Sequence, residues 1–151
     1  KIHWTHFGDG PDLDLLKLKV KSFPPGVTVS FMGHVSLEVM NSLYESKRYD
    51  VFVNCSLSEG IPVSAMEAMS YGIACLATDV GGTRELVIDG VGEVFSASIT
   101  PYDLLENILA FCSATNKAAI VRSAQGRDHV ITNYNADTNY DVFVKKLVNL
   151  L

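Results

Sequence analysis

Short apolar runs alternate with helix-period segments through most of this chain, and that alternation constrains the fold more than any other feature. Ile2 to Phe7 reads as a strand, made less apolar than a central strand by His3 and His6, and Gly8-Asp9-Gly10-Pro11 ends it with turn chemistry. Asp12 to Ser22 spaces Leu13, Leu16 and Val20 at helical intervals with lysines opposite, and Pro24-Pro25-Gly26 stops it. Val27 to Met32 is a second strand, Leu37 to Ser46 a helix and Tyr49 to Asn54 a third strand, whose Val51-Phe52-Val53 core suits burial on both faces. Strand followed by helix followed by strand predicts parallel βαβ units with right-handed crossovers. At 151 residues, the chain fits one domain, residues 1–151, with a real core.

The stretch from Asn54 to Glu85 carries the chemistry. A loop from Ser56 to Ile61 follows the third strand. Pro62 suits a first helical position because its missing N–H is one a helix does not use there. Val63 to Tyr71 continues with good helix formers until Gly72. No Ser, Thr, Asp or Asn stands just before Pro62, so the amides of Val63, Ser64 and Ala65 lack an evident cap. Uncapped amides at the positive end of a helix form an anion site suited to phosphate. Glu59 and Glu67 bracket that site. Carboxylates repel phosphate, so they serve something uncharged beside it, and a vicinal diol can donate two hydrogen bonds to one carboxylate. A phosphate flanked by diols describes a sugar nucleotide. A second buried strand then leads to Gly81-Gly82, which serves either as a positive-φ turn or as a loop that lets backbone approach a ligand.

The pattern Glu59-Gly60-Ile61-Pro62-Val63-Ser64-Ala65-Met66-Glu67-Ala68-Met69-Ser70-Tyr71-Gly72 resembles the Glu-x7-Glu signature of retaining GT-B glycosyltransferases, especially glycosyltransferase family 4. Ile73 to Thr78, Gly81-Gly82 and Glu85 extend the likeness, the last three resembling the family's Gly-Gly-x-x-Glu. So do Gly8-Asp9-Gly10-Pro11, Val29 to Val35 and the segment from Asn133-Tyr134 to Leu147. The resemblance implies an α/β fold with a Rossmann-like parallel sheet flanked by helices, the C-terminal, donor-binding half of a GT-B enzyme.

It also implies roles. Glu59, the residue assigned to catalysis, would hold hydroxyls of the transferred sugar, and Glu67 would hold the ribose. Gly60, Ile61, Pro62 and Val63 would line the diphosphate, Ser58 would belong to the donor site beside them, and Gly33, His34 and Val35 would pass near the base. The donor would be a UDP- or GDP-sugar, with no cofactor or metal, and transfer would retain the anomeric configuration. The similar enzymes carry an Arg and a Lys for the diphosphate upstream of anything aligned with Ile2 to Pro11. The chain therefore reads as a fragment without the first strand and without the N-terminal domain that holds a saccharide or lipid-linked acceptor, and negligible transfer is expected of it alone. The gap between Ile2–Phe7 and Tyr49–Asn54 would close by direct pairing or by a borrowed strand. A sugar-nucleotide epimerase of GT-B type would use the same site, and a non-catalytic Rossmann-like module would keep only the fold, although a bare scaffold has no need of two acids beside an anion site.

Net charge is −5, with Lys and Arg scattered, which argues against nucleic acid. Cys55, Cys75 and Cys112 lie in apolar runs without metal spacing and read as buried, reduced thiols of a cytoplasmic protein. The family's common roles in polysaccharide and lipopolysaccharide synthesis imply peripheral association of the full-length enzyme with the inner face of a membrane. His3 and His6 read as structural, Met66 and Met69 as core fillers, and Glu85 as an acceptor within its own loop. After the central stretch, Gly92 to Phe95 is a last strand, and Pro101 to Cys112, Lys117 to Thr132 and Ala136 to Leu151 read as helices.

Overall fold

All strand pairs are parallel, as the alternation predicts. The computed structural model describes residues 1–46, 49–113 and 116–150. The chain forms two compact units, Lys1–Lys47 and Arg48–Leu151.

In the first unit, strand β1 (Ile2–His6) lies parallel to β2 (Val27–Phe31), in register from Ile2 opposite Val27 to His6 opposite Phe31. Helix α1 (Leu13–Lys19) and a 3₁₀ turn (Val20–Ser22) make the crossover. The helix expected to reach Ser22 tightens at Val20, where the Phe23 amide bonds the Val20 carbonyl at 3.2 Å, just before the prolines. Helix α2 (Leu37–Ser46) starts where Ser36 Oγ accepts the Val39 amide. His3 is structural: its ring nitrogens meet Thr28 Oγ1 at 2.7 Å and Ser30 Oγ at 3.2 Å across the ladder. His6, on the opposite face, stacks edge-on with Trp4 and Phe31.

In the second unit, β3 (Phe52–Asn54), β4 (Cys75–Thr78) and β5 (Gly92–Phe95) form a parallel sheet with β4 in the middle. Every residue of β4 is buried, because both of its faces are covered. Cys75 and Ala77 face a cluster with Ala65, Met69, Leu86, Val87, Val91 and Val130. Leu76 turns the other way, with Ala74, Phe95 and Phe111. That split is the two-residue period of a strand. Helices α3 (Val63–Ser70) and α6 (Asn116–Asn133) pack with the first cluster, and α5 (Pro101–Cys112) with the second. Thr100 caps α5 by accepting the Asp103 amide, with Pro101 at its first turn. Helix α7 (Ala136–Val148) ends the described chain; Leu151, where the sequence places its end, lies outside the described residues. No helix among the described residues is long and apolar enough to cross a membrane.

Three expectations shift. The strand from Tyr49 shortens to Phe52–Asn54. Pro62 stands at the N-cap with extended ψ rather than inside the helix, which leaves α3 eight residues long. A four-residue helix, α4 (Thr83–Leu86), follows the Gly-Gly turn, where sequence periodicity over so short a span is unreadable. The described strands form two sheets, one of β1 and β2 and one of β3, β4 and β5. The cysteines divide as well. Cys75 is buried, and burial pushes its thiol up to about 12. Cys55 and Cys112 are exposed, because one lies in the loop past β3 and the other in the last turn of α5. Met69 is fully buried, and Met66 packs against the same cluster.

Of the two readings of Gly81-Gly82, the positive-φ turn is the one seen, at Gly81. Gly81 has φ +53°, and a Cβ there would lie 1.9 Å from the Glu59 carbonyl oxygen. At Gly82 a Cβ would come within 2.9 Å of Ile61 Cγ1, while the Gly82 amide donates to the Gly60 carbonyl at 2.8 Å. Positive φ and close approach thus occur together, and the loop approached is the one that carries Glu59.

Leu76→Ala, which opens a cavity between β4, Phe95 and Phe111, is expected to cost about 2–5 kcal/mol in urea denaturation. Gly81→Ala is expected to lower stability by more than the ~1 kcal/mol of an unfavourable φ alone, because backbone must move. A change within about 0.5 kcal/mol for the glycine variant would show that this contact yields easily.

Candidate functional site

The site is built at the carboxyl ends of β3 and β4, where a parallel sheet opens its crevice. β3 ends in Asn54, whose side chain is buried at 9% exposure. Its Oδ1 accepts the Ser56 amide at 2.8 Å, an Asx turn that bends the chain off the strand. Its Nδ2 donates to Glu59 Oε1 at 3.0 Å. Thr78, buried at the end of β4, donates its hydroxyl to the Ser56 carbonyl. Ser56 is therefore held at both its amide and its carbonyl, and the five residues to Glu59 fold back over Asn54.

Glu59 is half-buried, and its carboxyl is lowered below its ordinary value, first by the Asn54 hydrogen bond and then by the Ser56 hydroxyl, against a smaller opposing effect of burial. It is thus an ionised acceptor through the neutral range and into mild acid. Ser58 and Gly60 are exposed on either side of it, and Leu57 stands out at 80% exposure.

Beyond the loop, Pro62 is fully buried and its carbonyl accepts the amides of both Ala65 and Met66 at 3.1 Å. Ala65, expected to be uncapped, is therefore satisfied by the tight first turn. The Val63 and Ser64 amides find no acceptor among the described residues, and Val63 is 62% exposed. Two free donors and the positive helix end thus face outward where an anion can reach them. On α3 the buried positions Ala65, Ala68 and Met69 form one stripe, so Val63, Ser64, Glu67 and Ser70 share the open one. Glu67 lies about 7 Å along the axis from the N-cap by helix rise. No hydrogen bond or ion pair reaches its carboxylate among the described residues, which leaves it available.

The turn after β4 adds a charged pair. Arg84 grips Asp79 with two hydrogen bonds, Nε to Oδ1 at 2.8 Å and Nη2 to Oδ2 at 2.6 Å. Glu85 meets its neighbours by backbone rather than by the carboxylate expected to accept: its carbonyl takes the Tyr134 hydroxyl proton at 2.8 Å. Its Oε1 lies beside Gly82, 3.3 Å from where a Cβ would stand.

Ser58, Glu59, Gly60, Ile61, Pro62, Val63 and Glu67 are thus gathered on one loop and one helix of the second unit. Gly33, His34 and Val35 belong to the first unit. There Gly33 takes φ +64°, its carbonyl accepts the Gly8 amide at 2.8 Å, and His34 is exposed. The ends of β1 and β2 are thereby tied together beside a 290 Å³ hollow lined by His6 to Leu13 and Leu16. Among the described residues no group of three or more His, Cys, Asp or Glu side chains could hold a metal ion. Sequence reasoning passed over Asn54, Ser56 and Thr78. The available signal was an Asn at a strand end, two residues before a serine and five before the acid.

The sequence pattern of the family described as Glycosyl transferases group 1 matches residues 1–137. The O-antigen biosynthesis glycosyltransferase WbnH of Escherichia coli is 39% identical over 80 residues, 53% of this chain and 21% of that protein. Among solved structures, the C-terminal domain of the group 1 glycosyl transferase LpcC from Francisella tularensis superposes with a TM-score of 0.69 at 26% identity, over 84% of this chain and 66% of that one. HepE of Anabaena, solved in complex with UDP-glucose, gives a TM-score of 0.76 at 19% identity, over 96% and 40%. The chain spans about a fifth of the length of the curated relative it matches, and within that span both sequence and fold agree: it belongs to the glycosyl transferases group 1, with the α/β fold of GT-B glycosyltransferases.

Proposed function

We propose that this chain is the donor-binding part of a glycosyltransferase that moves a hexose from a nucleoside diphosphate to a saccharide or lipid-linked acceptor, with retention at the anomeric carbon. The observation that carries the reading is the joint placement of an oriented carboxylate, Glu59, and a free one, Glu67, about the two unpaired amides of α3. Glu59 accepts hydroxyls of the sugar. The Val63 and Ser64 amides bind the diphosphate and stabilise its charge as it leaves. Glu67 takes the ribose diol. The UDP-glucose complex of HepE supports a uridine donor, and the O-antigen role in WbnH's name supports a cell-envelope glycan as acceptor. The enzyme works without a resident metal, in the cytoplasm at the inner face of the membrane, and its acceptor is held by a further domain.

Isothermal titration with UDP, GDP and ADP and their common sugar conjugates tests the donor site. One nucleotide is expected to bind, and Glu67→Ala to weaken it about tenfold by removing a charged acceptor of two hydroxyls. Binding of none of these nucleotides by folded protein carrying all of its domains would overturn the assignment. In that same full-length enzyme, Glu59→Gln is expected to lower kcat/KM for transfer by roughly a hundredfold. Transfer is expected to survive EDTA, and proton NMR of the first-formed product is expected to show the donor's anomeric configuration; inversion would remove the retaining mechanism.

A further inference from the structure

Three polar side chains are buried among the described residues: Asn54, Thr78 and Thr83. Thr83 and Thr78 spend their hydroxyls on backbone carbonyls, of Val80 and Ser56. Asn54 differs. One end of its amide serves the backbone and the other holds the side chain of Glu59.

Chemistry fixes the direction of that amide. The Ser56 N–H can only donate, so it faces Oδ1; the ionised carboxylate can only accept, so it faces Nδ2. An aspartate side chain in place of this amide would keep the acceptor and lose the donor. An aliphatic side chain would lose both. Around the same loop, the Gly82 amide holds the Gly60 carbonyl and the Gly81 backbone abuts that of Glu59, so the main chain is set from one side and the carboxylate from the other. One lone pair of Oε1 is committed to Asn54 and the Ser56 hydroxyl meets the same carboxylate, which leaves its remaining lone pairs for a ligand.

We propose that Asn54 is a positioning residue for the sugar of the donor, acting through Glu59: it fixes the carboxylate's rotamer and keeps it an acceptor. The inference rests on the donor-site reading above. Because Asn54 acts on the sugar contact and not on the diphosphate amides, it sets the preference for a sugar nucleotide over the bare nucleotide.

Asn54→Asp separates this role from a structural one, since the introduced carboxylate preserves the Asx turn to Ser56. It also places two carboxylates in contact. The groups that hold Glu59 in the native protein, Asn54 and Ser56, are neutral, and the charged side chain that α4 brings to the Gly82 side of the loop is Glu85. In the variant, a proton taken up by the introduced carboxylate and Glu59 as a pair restores an O–H to oxygen hydrogen bond, so the lost preference returns as pH falls.

The full-length protein and its Asn54→Asp and Asn54→Ser variants would be titrated with UDP and UDP-glucose, and with GDP and GDP-mannose, from pH 5 to pH 8, with melting temperatures recorded. Both variants are expected to bind the sugar conjugate about tenfold more weakly while holding the bare nucleotide at native affinity. Asn54→Asp is expected to regain part of the loss toward pH 5 and Asn54→Ser to show no such recovery. Native preference for the conjugate in both variants would overturn the proposal and leave the donor site standing. Equal loss of conjugate and nucleotide would also overturn it, because Asn54 would then support the loop as a whole. Failure of the native protein to bind any of the four would remove the donor site itself, and this inference with it.

Discussion

The hydrogen bond from the Gly82 amide to the Gly60 carbonyl, with Gly81 pressed against the backbone of Glu59, is the contact on which the rest of the site depends. It ties the loop after β3 to the turn after β4. Two strand ends that are adjacent in the sheet thus become one continuous surface. Without it, the loop would be held at Ser56 and through the Glu59 side chain alone, with an 80% exposed leucine two residues before that acid. Glycine is required on the turn side because the two backbones meet with no room for a methyl group between them.

Charge is arranged around that surface with little waste. Arg84, the cation beside the turn, is already engaged by Asp79, so the attraction for an anion rests on the two open amides and the helix end. The acids are kept from opposing it by different means. Glu59 is turned toward Asn54 at the strand end, and Glu67 stands more than a turn along α3. The open amides and the two carboxylates therefore stand at separate points along the loop and the helix.

Much of this was legible in the sequence, and the parts that were not share a cause. β5 and α2 fall on their expected residues because period and punctuation agree there, as at Thr100-Pro101 before α5. α4 escaped because four residues carry no period. Pro62 fell one place outside its helix because proline's φ is compatible with both the N-cap and the first turn, and ψ, which decides between them, is set by tertiary packing of its buried ring. Cys55 and Cys112 were misplaced because apolar neighbours in sequence do not reveal which side of a strand end or a last helical turn faces solvent. Asn54 does end a strand, but its hold on Glu59 is invisible in the sequence, since the acid becomes a neighbour only when the loop folds back.

The order of the second sheet bears on how the chain reaches this state. β3, β4 and β5 are consecutive in sequence and adjacent in space, and the crossovers, residues 55–74 and 79–91, are short enough that closure entropy is modest. No ladder in that sheet waits for a remote partner. Its assembly is therefore governed by near contacts, which favours rapid folding for a parallel sheet, and β4, once formed, is the template on which both neighbours grow. The loop that carries Glu59 lies inside the first of these crossovers, so the site is in place as soon as β4 has docked and turned.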